Sequence, residues 1–581
     1  MNSVVGFTIF SNLPENRIKA LQVAQDRALA YFALQRRSLV LGETYLEVWG
    51  RKGMKERIHT LHDGSLVVVI GSPHGKVVSA EMEDNLLSDD FAIPWDGRVI
   101  ILRVSADGRR WTMWNDWLGS IPVFHAEVGG SRIASTLEPV TVAAGGFSSD
   151  DFYLPGLVSL LINGHFISDW TLFKGMKTVP PDCVAKWAES GFHSQQLWTV
   201  KPTEDRWEAS WDDLVDEMHE LSGKAIADVL KTQPNWILPL SAGLDSRLIA
   251  AVGADLGVNF HAYAWGEPES TDVIYSHQIA KTLDISWKRI ELCKDFLECY
   301  TPLWADLFGS SMHFHGMYQM CFLDAIKSES DAPLITGYIG DMLSGMNAMQ
   351  HDTGYIIYKK DWYMHWDVEE TRSLLKIPID EALQEIAEEV KRLVAAMTGG
   401  WYSKSLYFAL WSRQRLFTSF QSTVSSYWRG TATPFLNRAY ARFCISLPRA
   451  VHENRHLLAD VFRRYYGRLA VIPGTYASQP FILTGKYLLK HRIVEHLPAS
   501  LHHGPFAGFD DIPLRMDVDC IRATGKKSLW PMYNAWDQLG KWLDVSQLEP
   551  VYQAVMSSAE DIRPLRKLQS IQALAYRLLN N

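Results

Sequence analysis

Small, polar and acidic residues follow a short apolar stretch near the middle of the chain, where residues 236–247 read WILPLSAGLDSR. This pattern predicts a buried strand, a tight turn and then a helix. The backbone N–H groups of such a turn point outward, and the dipole of the helix favours an anion such as phosphate beside them. Asp245 would then hold a Mg²⁺ ion that bridges the phosphate groups.

A second loop of similar character follows a short apolar stretch, where residues 333–345 read PLITGYIGDMLSG. Predicted strands at 259–265 and 285–290, each preceded by a predicted helix, lie between the two loops. Alternating strands and helices favour a parallel sheet whose ligand binds at the carboxyl ends of the strands. Asp341 and Asp245 would share one Mg²⁺–pyrophosphate unit there, with the purine of a nucleotide near Ala264.

Length and composition limit the classes of protein to consider. A chain of 581 residues exceeds one hydrophobic core, so we expect two domains. The net charge of −9 disfavours a nucleic-acid partner, and neither a polybasic patch, a membrane-spanning run nor a signal peptide is apparent. We therefore expect a cytoplasmic protein without a membrane partner. Its six cysteines form no C-x-x-C pair, so neither structural zinc nor a disulfide framework is indicated.

The first third of the chain has short β-branched runs at 65–70, 99–104 and 131–135, separated by Gly and Asp turns. They predict an antiparallel β-sandwich. Residues 115–124, NDWLGSIPVF, followed by AST at 134–136, resemble the R-D-x-x-G-x-x-P-L-Y…A-S-E segment of glutamine-hydrolysing amidotransferase domains with an N-terminal nucleophile. The resemblance implies an Ntn-type αββα sandwich over residues 1–200.

The nucleophile of those glutaminases, a cysteine at position 2, is replaced here by Asn2. A carboxamide cannot form the thioester, so we interpret residues 1–200 as a degenerate glutaminase-like domain. The alternative nucleophile is Cys183, the first cysteine in the chain. Pro180 and Pro181 disfavour it because they predict an extended loop beyond the domain.

Residues 201–581 resemble the synthetase domain of the asparagine synthetase superfamily. The first loop is similar to that superfamily's S-G-G-x-D-S pyrophosphate loop, with Ala242 in place of the second Gly, and TPFLNR at 433–438 and GKYLLKHR at 485–492 are similar to further segments. The resemblance implies an ATP-pyrophosphatase-like parallel sheet with helices on both faces, with ATP and Mg²⁺ as cofactors. The nucleotide-binding residues that it implies are Leu240, Ser241, Gly243, Asp245, Ser246, Ala264 and Gly340, and the metal ligands are Asp245 and Asp341.

The resemblance also implies catalytic residues. Lys486, or alternatively Lys490, matches the lysine that contacts the reacting phosphate and carbonyl. Tyr338 resembles the tyrosine with which β-lactam synthetases, together with a glutamate, take a proton from the attacking amine. Because an unassisted phenol has a pKa near ~10, Tyr338 needs a carboxylate partner, for which we predict Glu370 or its neighbour Glu369.

The predicted function is an ATP-dependent ligase that forms AMP and pyrophosphate, adenylates a substrate carboxylate and joins it to an amine without hydrolysing glutamine. The substrate is expected to be a small molecule or peptide that carries both groups, as in β-lactam synthetases and lasso-peptide cyclases, with a precursor-processing protein as a possible partner. The alternatives are amidation of a sugar acid in polysaccharide biosynthesis, an ammonia-dependent asparagine synthetase and a non-catalytic scaffold.

Overall fold

The fold contains two separate β-sheets with helices around them. The computed structural model describes residues 4–74, 83–88, 91–314, 316–329, 331–346, 365–474, 480–494, 496–498, 501, 516–557 and 563–579. The strands are β1 (Val4–Ser11), β2 (Gln35–Leu41), β3 (Thr44–Gly50), β4 (Ile58–Thr60), β5 (Leu66–His74), β6 (Asp96–Val104), β7 (Trp111–Asn115), β8 (Phe124–Val128), β9 (Ser131–Ser135), β10 (Met176–Thr178), β11 (Cys183–Ala188), β12 (Gly191–Gln196), β13 (Asn235–Pro239), β14 (Asn259–Trp265), β15 (Ser286–Ile290), β16 (Leu334–Ile335) and β17 (Thr431–Ala432).

The α-helices are α1 (Glu15–Leu29), α2 (Glu83–Leu87), α3 (Glu138–Gly145), α4 (Leu154–Asn163), α5 (Trp211–Leu230), α6 (Leu244–Asp255), α7 (Thr271–Leu283), α8 (Phe296–Phe308), α9 (Gln319–Ala325), α10 (Gly340–Leu343), α11 (Val368–Leu374), α12 (Asp380–Ala396), α13 (Trp401–Ala409), α14 (Ser419–Trp428), α15 (Arg438–Ser446), α16 (Arg449–His452), α17 (His456–Tyr465), α18 (Gly467–Ala470), α19 (Gly485–Val494), α20 (Met516–Thr524), α21 (Trp530–Asn534), α22 (Trp536–Trp542), α23 (Leu548–Ser557) and α24 (Arg563–Leu579). A π-helix at Leu410–Thr418 joins α13 to α14. None of the helices in the described residues combines the length and apolarity needed to cross a lipid bilayer.

The first sheet has twelve strands and runs in the order β10-β8-β9-β1-β5-β6-β7-β11-β12, with β2, β3 and β4 off this path. All its pairs are antiparallel except β1 with β5, which meet only at Val4 and Ile70. One apolar cluster takes alternate residues from both halves, such as Phe7 of β1 and Leu102 of β6. The sheet therefore curls around this cluster. That it forms the expected αββα sandwich stays a prediction.

The fourth layer of the expected αββα arrangement is reduced. Helices α1 and α3 cover the half that contains β8 and β9. The other half is covered, in the described part of the chain, by the five-residue α2 and by residues 91–95. Leu86 of α2 is buried there, as are Phe91 and Ile93.

The second sheet is parallel throughout, in the order β15-β14-β13-β16-β17. Strand β14 has the bounds that the sequence predicted for it. Strands β13, β15 and β16 lie within or beside the stretches that were predicted as strands. Trp236, Ile237 and Leu238 point alternately to opposite faces and are all fully buried, so both faces of β13 are covered. The strand order reverses between β13 and β16, which is the switch point where open parallel sheets bind ligands.

Polar contacts join the two halves of the chain. The indole of Trp49 donates to the hydroxyl of Tyr427 over 3.1 Å, and buried Glu138 pairs with Arg577 at 2.6 Å. Cys293 and Cys321 form a disulfide, although their spacing of 28 residues gave no sign of it in the sequence.

Candidate functional site

The two predicted loops meet at the switch point, because each follows one of the strands that flank it. Two glycines allow the close approach. A Cβ atom added to Gly337 would lie 2.8 Å from the Cβ of Asp245, and one added to Gly340 would lie 2.8 Å from its Cγ. Any larger side chain would displace Asp245. The second loop therefore packs directly on the carboxylate of the first, as the sequence pattern predicted.

The first loop is ordered by its own hydrogen bonds. The N–H of Ser241 donates to the hydroxyl of Ser246, and the N–H of Gly243 donates to the hydroxyl of Ser241, both over 3.1 Å. The N–H of Ala242 donates to Asp272 at the start of α7, over 2.8 Å. The acceptor oxygens of Ser246, Ser241 and Asp272 lie where the oxygens of a bound phosphate would accept hydrogen bonds from the loop. An anion would have to replace them, since the N–H groups already have partners.

Arg247, the residue after the loop motif, fixes the loop from behind. Its fully buried guanidinium donates to the carbonyl of Ala242 over 2.9 Å and to the carbonyls of Leu469, Ile472 and Pro473 at 2.7–3.2 Å. Burial lowers the pKa of Arg247 to about 9, and the nearby charge of Arg455 adds to the shift. The sequence did not indicate the bonds to Leu469, Ile472 and Pro473, because these residues lie more than two hundred positions away from Arg247.

Asp245 lies between a cation and a second carboxylate. Its Oδ1 accepts a hydrogen bond from Nη2 of Arg455 at 2.5 Å. Burial raises the pKa of Asp245 to about 6; Arg455 opposes this shift, and the like charge of Asp341 adds to it. Arg455 was not among the predicted residues. It reaches Asp245 from a left-handed backbone conformation with φ of 60°, which its sequence neighbours do not signal.

The donor set suits Mg²⁺. The described residues contain no group of three or more acidic, His or Cys side chains placed to hold a metal. Mg²⁺ bound with a nucleotide needs only one or two carboxylates, because phosphate oxygens and water complete its shell. Asp245 and Asp341 would supply that pair, and the ion would then compete with Arg455 for Asp245.

A cavity of about 400 Å³ opens at the switch point. The predicted nucleotide residues Leu240, Ser241, Gly243, Asp245, Ser246 and Ala264 line it, as does Asp341, while Gly340 lies behind Asp245. Aromatic side chains form one wall, with the rings of Trp265 and Phe322 5.1 Å apart. The cavity thus has a charged floor beside a flat apolar wall, which suits a nucleotide.

Tyr338 is not placed to act as the predicted base. It borders the cavity, but its buried hydroxyl donates to the backbone carbonyl of Gln414 over 2.7 Å. Burial raises its pKa far above the ordinary value of a phenol. A base needs a lowered pKa and a partner that takes its proton, whereas Tyr338 has a raised pKa and a neutral acceptor.

The predicted partners of Tyr338 serve a helix end instead. Glu370 forms a capping box with Asp367 at the start of α11, and its other oxygen pairs with Lys567. Glu369 is exposed and lies 3.6 Å from Arg372 on the same helix. The acidic sequence before α11 is therefore explained by capping and dipole effects.

The predicted lysine also lies outside the cavity lining. Lys486 is exposed in the first turn of α19, and Lys490 is one turn further along that helix. The charge-stabilising role of Lys486 stays a prediction. Among the described residues that line the cavity, Arg455 is the one cation.

Cys183 is the one cysteine among residues 1–200, and the structure does not favour it as a nucleophile. Asn2 lies outside the described residues. Cys183 begins β11 in the core of the first sheet, rather than lying in an extended loop as predicted. Its thiol donates to the carbonyl of Pro180 at 3.0 Å, and burial raises its pKa well above the ordinary value. A buried thiol with a raised pKa is unreactive.

A larger cavity, of about 540 Å³, lies between the segment before β10 and helix α12. Four of its ionisable side chains bind one another: Tyr153 donates to Glu385, and Arg392 pairs with Glu389. We therefore place the candidate site at the smaller cavity, where the charged groups converge at the ends of strands.

Comparisons with known proteins give little similarity. No protein-family model matches the chain, and no curated protein matches it. One solved structure, described as the allosteric regulatory enzyme of purine biosynthesis, aligns at 8% identity and a TM-score of 0.23, over 50% of this chain and 82% of that one. The glutamine phosphoribosylpyrophosphate amidotransferase from B. subtilis, complexed with ADP and GMP, aligns at 8% identity and a TM-score of 0.21, over 49% of this chain and 65% of that one. At these values neither similarity assigns a fold or a function to the chain.

Proposed function

We propose that this protein is an ATP-dependent ligase that forms AMP and pyrophosphate while it joins a carboxylate to an amine. The observation that carries the proposal is the convergence of two glycine-containing loops, with Asp245 and Asp341, beside a cavity at the switch point of a parallel sheet. Such a site has the backbone donors for a pyrophosphate and the carboxylates for its counter-ion.

Different residues around the cavity would bind different parts of the nucleotide. The first loop would hold the β- and γ-phosphates, and the wall of Trp265 and Phe322 would hold the base. Mg²⁺, held by Asp245 and Asp341, would supply positive charge against the leaving pyrophosphate. The ion would displace Arg455 from Asp245. Because Arg455 lies next to this carboxylate, it could then pair with a phosphate oxygen of the metal-bound nucleotide.

The reaction has two steps. A carboxylate oxygen of the substrate bonds to the α-phosphorus of ATP, and the bond from that phosphorus to the pyrophosphate oxygen breaks. The amine then bonds to the acyl carbon, loses a proton and expels AMP. Because Asn2 cannot release ammonia from glutamine, the amine belongs to the substrate or to another donor. An intramolecular reaction would give a product one water lighter than the substrate.

The first step can be tested by isotope exchange between pyrophosphate and ATP in the presence of Mg²⁺ and a panel of carboxylic acids. We expect exchange with at least one acid for the wild-type protein, and a loss of about 100-fold or more in Asp341→Asn, because the metal site loses a charge. Asp284→Asn is the matched control, since Asp284 is an exposed residue at the end of α7. Exchange that persists in Asp341→Asn would remove the proposed metal site.

A non-catalytic nucleotide-binding protein is the second candidate. It is favoured by the Arg455–Asp245 ion pair and by the internal bonds of the first loop, which fill the positions of the metal and the phosphate. This candidate predicts nucleotide binding that Mg²⁺ does not strengthen and no exchange with any acid. Calorimetric titration of ATP with and without Mg²⁺ separates the two.

A further inference from the structure

One face of the helix formed by residues 410–428 is polar although it is turned to the interior. Thr418, Gln421, Ser422 and Ser425 all line the cavity. Their spacing of three, four and seven residues puts them on one side of a helix. We call these four residues the polar face. A helix side directed inward is ordinarily apolar, so a buried polar face indicates a polar ligand. The π-helical turn that ends at Thr418 is another feature common near functional sites.

Several polar atoms at this wall lack a partner. Among the described residues, Oγ1 of Thr418, Nε2 of Gln421 and Oγ1 of Thr336 are buried without a hydrogen bond. Thr336 belongs to the loop after β16 and lines the same cavity. A buried polar group without a partner costs free energy, about 1–3 kcal/mol each. Three such groups around one cavity are explained if a ligand supplies the missing bonds.

The Gln421 side chain is held in place before any ligand binds. Its Oε1 accepts a hydrogen bond from Nε2 of Gln319 over 2.8 Å, which leaves the amide nitrogen to donate elsewhere. Gly316, with φ of +98°, lies so close that an added Cβ would be 2.6 Å from Cγ of Gln421. The backbone at Gly316 therefore limits the movement of this side chain.

Charge is distributed unequally around the cavity. The charged residues that line it are Asp245, Asp272, Asp341 and Arg455, which come from the loops after β13 and β16, from α7 and from the turn before α17. The lining residues of the polar face carry only hydroxyl and amide groups. A ligand with a second charge at this wall would find no counter-ion among the described lining residues.

We propose that the polar face binds the hydroxyl-bearing body of a small sugar acid, whose carboxylate is the group that is adenylated. The inference rests on the proposed function and names the substrate class of that site. Sugar hydroxyls both donate and accept, so they can pair with the two threonine hydroxyls and the glutamine amide together. An aspartate-like substrate would bring extra charges to an uncharged wall.

The proposal is tested by calorimetric titration of the full chain, saturated with Mg²⁺ and a non-hydrolysable ATP analogue, with three uronic acids: glucuronate, galacturonate and mannuronate. Cyclohexanecarboxylate is the matched probe, because it keeps the ring and the carboxylate but has no hydroxyls. We expect at least one uronate to bind about tenfold or more tightly than cyclohexanecarboxylate, the effect of two or more hydrogen bonds. Equal affinities, no binding of any uronate, or tighter binding of aspartate or tetraglycine would overturn the proposal.

Variants assign the effect to the polar face. Thr418→Val and Gln421→Leu should each weaken uronate binding by about three- to tenfold, the usual effect of one hydrogen bond, and leave cyclohexanecarboxylate unchanged. Thr418→Ser keeps the hydroxyl and should restore affinity. Thr371→Val is the control, because Thr371 of α11 also has a buried hydroxyl without a partner in the described structure but does not line the cavity. If Thr418→Val had no effect while the protein remained folded, the polar face would not be the sugar site.

Failure of the two proposals can be told apart in the same samples. Binding of the ATP analogue and pyrophosphate exchange report on the nucleotide site, whereas the difference between uronate and cyclohexanecarboxylate reports on the polar face. Uronate binding without pyrophosphate exchange would support the sugar site and contradict the proposed ligase activity. Exchange with a non-sugar acid only would do the reverse.

Discussion

Two aspartates, Asp116 in the first sheet and Asp245 at the parallel sheet, each follow a strand and lie largely out of contact with solvent. The carboxylate of Asp116 accepts hydrogen bonds from the N–H groups of Val99, Leu118 and Ser120 and from the hydroxyl of Ser120. The surrounding chain thus uses its acceptor capacity. Asp116 holds the turn after β7 together, which is a structural role.

Asp245 has a different environment. It pairs with Arg455 and interacts with the like charge of Asp341 at the edge of a cavity. A carboxylate held by a single side-chain cation can exchange that partner for a metal ion, whereas one fixed by three backbone donors cannot. Sequence motifs alone do not separate the two cases, since the difference lies in what surrounds each oxygen.

The largest effect that tests this comparison is expected from Asp245→Asn. It should lower pyrophosphate exchange by about 10²–10³-fold, because a metal ligand that offsets developing charge contributes several kcal/mol. The thermal midpoint should not fall by more than a few degrees, since Asn removes a buried charge whose pKa is already raised. A strong loss of stability with normal exchange would make Asp245 a structural residue like Asp116.

Asp116→Asn should have the opposite profile. The amide NH₂ would face N–H donors, so we expect the free energy of unfolding to fall by about 2–4 kcal/mol. Denaturant titration measures this loss. Nucleotide affinity, measured where the variant is folded, should match that of the wild type. Weakened nucleotide binding would link the first sheet to the site and contradict the division of roles.

The pH dependence of stability extends the comparison to a second carboxyl near the first sheet. Burial raises the pKa of Asp182 from 3.8 to about 6, although bonds from Thr199 oppose the shift. Between about pH 4 and pH 6 the folded protein keeps a proton that the unfolded chain has lost, so stability falls as the pH rises through this window. The change is up to about 3 kcal/mol.

Asp182→Asn should remove this component, so that the stability of the variant relative to the wild type increases from pH 4 to pH 6. Urea unfolding at several pH values measures it. A difference that is constant with pH would show that Asp182 has an ordinary pKa.

The smallest effect is expected from Tyr338→Phe. Because the phenol donates to the carbonyl of Gln414, its removal should cost about 1 kcal/mol of stability and change amide formation by less than about threefold. A base would instead contribute about 10²–10⁴-fold. Single-turnover measurement of amide formation after adenylation distinguishes the outcomes. A loss of the larger size would restore Tyr338 as the base and require a rearrangement that exposes its hydroxyl.

The sequence predicted the parallel sheet well, because largely apolar runs such as 259–265 depend on local patterning and burial. It also predicted that Asp245 and Asp341 converge, since the carboxyl ends of parallel strands share one edge. It failed for Arg455 and Arg247, whose partners are distant in the chain. Glu370 was misassigned although the spacing from Asp367 is that of a capping box, a local signal that could have been used. The polar face was also readable as a helical repeat of uncharged polar residues.

The bonds that Arg247 makes to four carbonyls have a kinetic consequence. They order the first loop against residues 469–473 before any ligand arrives. The loss of backbone entropy therefore occurs during folding rather than during association. Capture of a nucleotide should follow a single exponential whose rate rises linearly with ligand concentration, without the plateau that a slow loop closure imposes. The residence time of the nucleotide, rather than its rate of arrival, would then carry most of the difference in affinity between ligands.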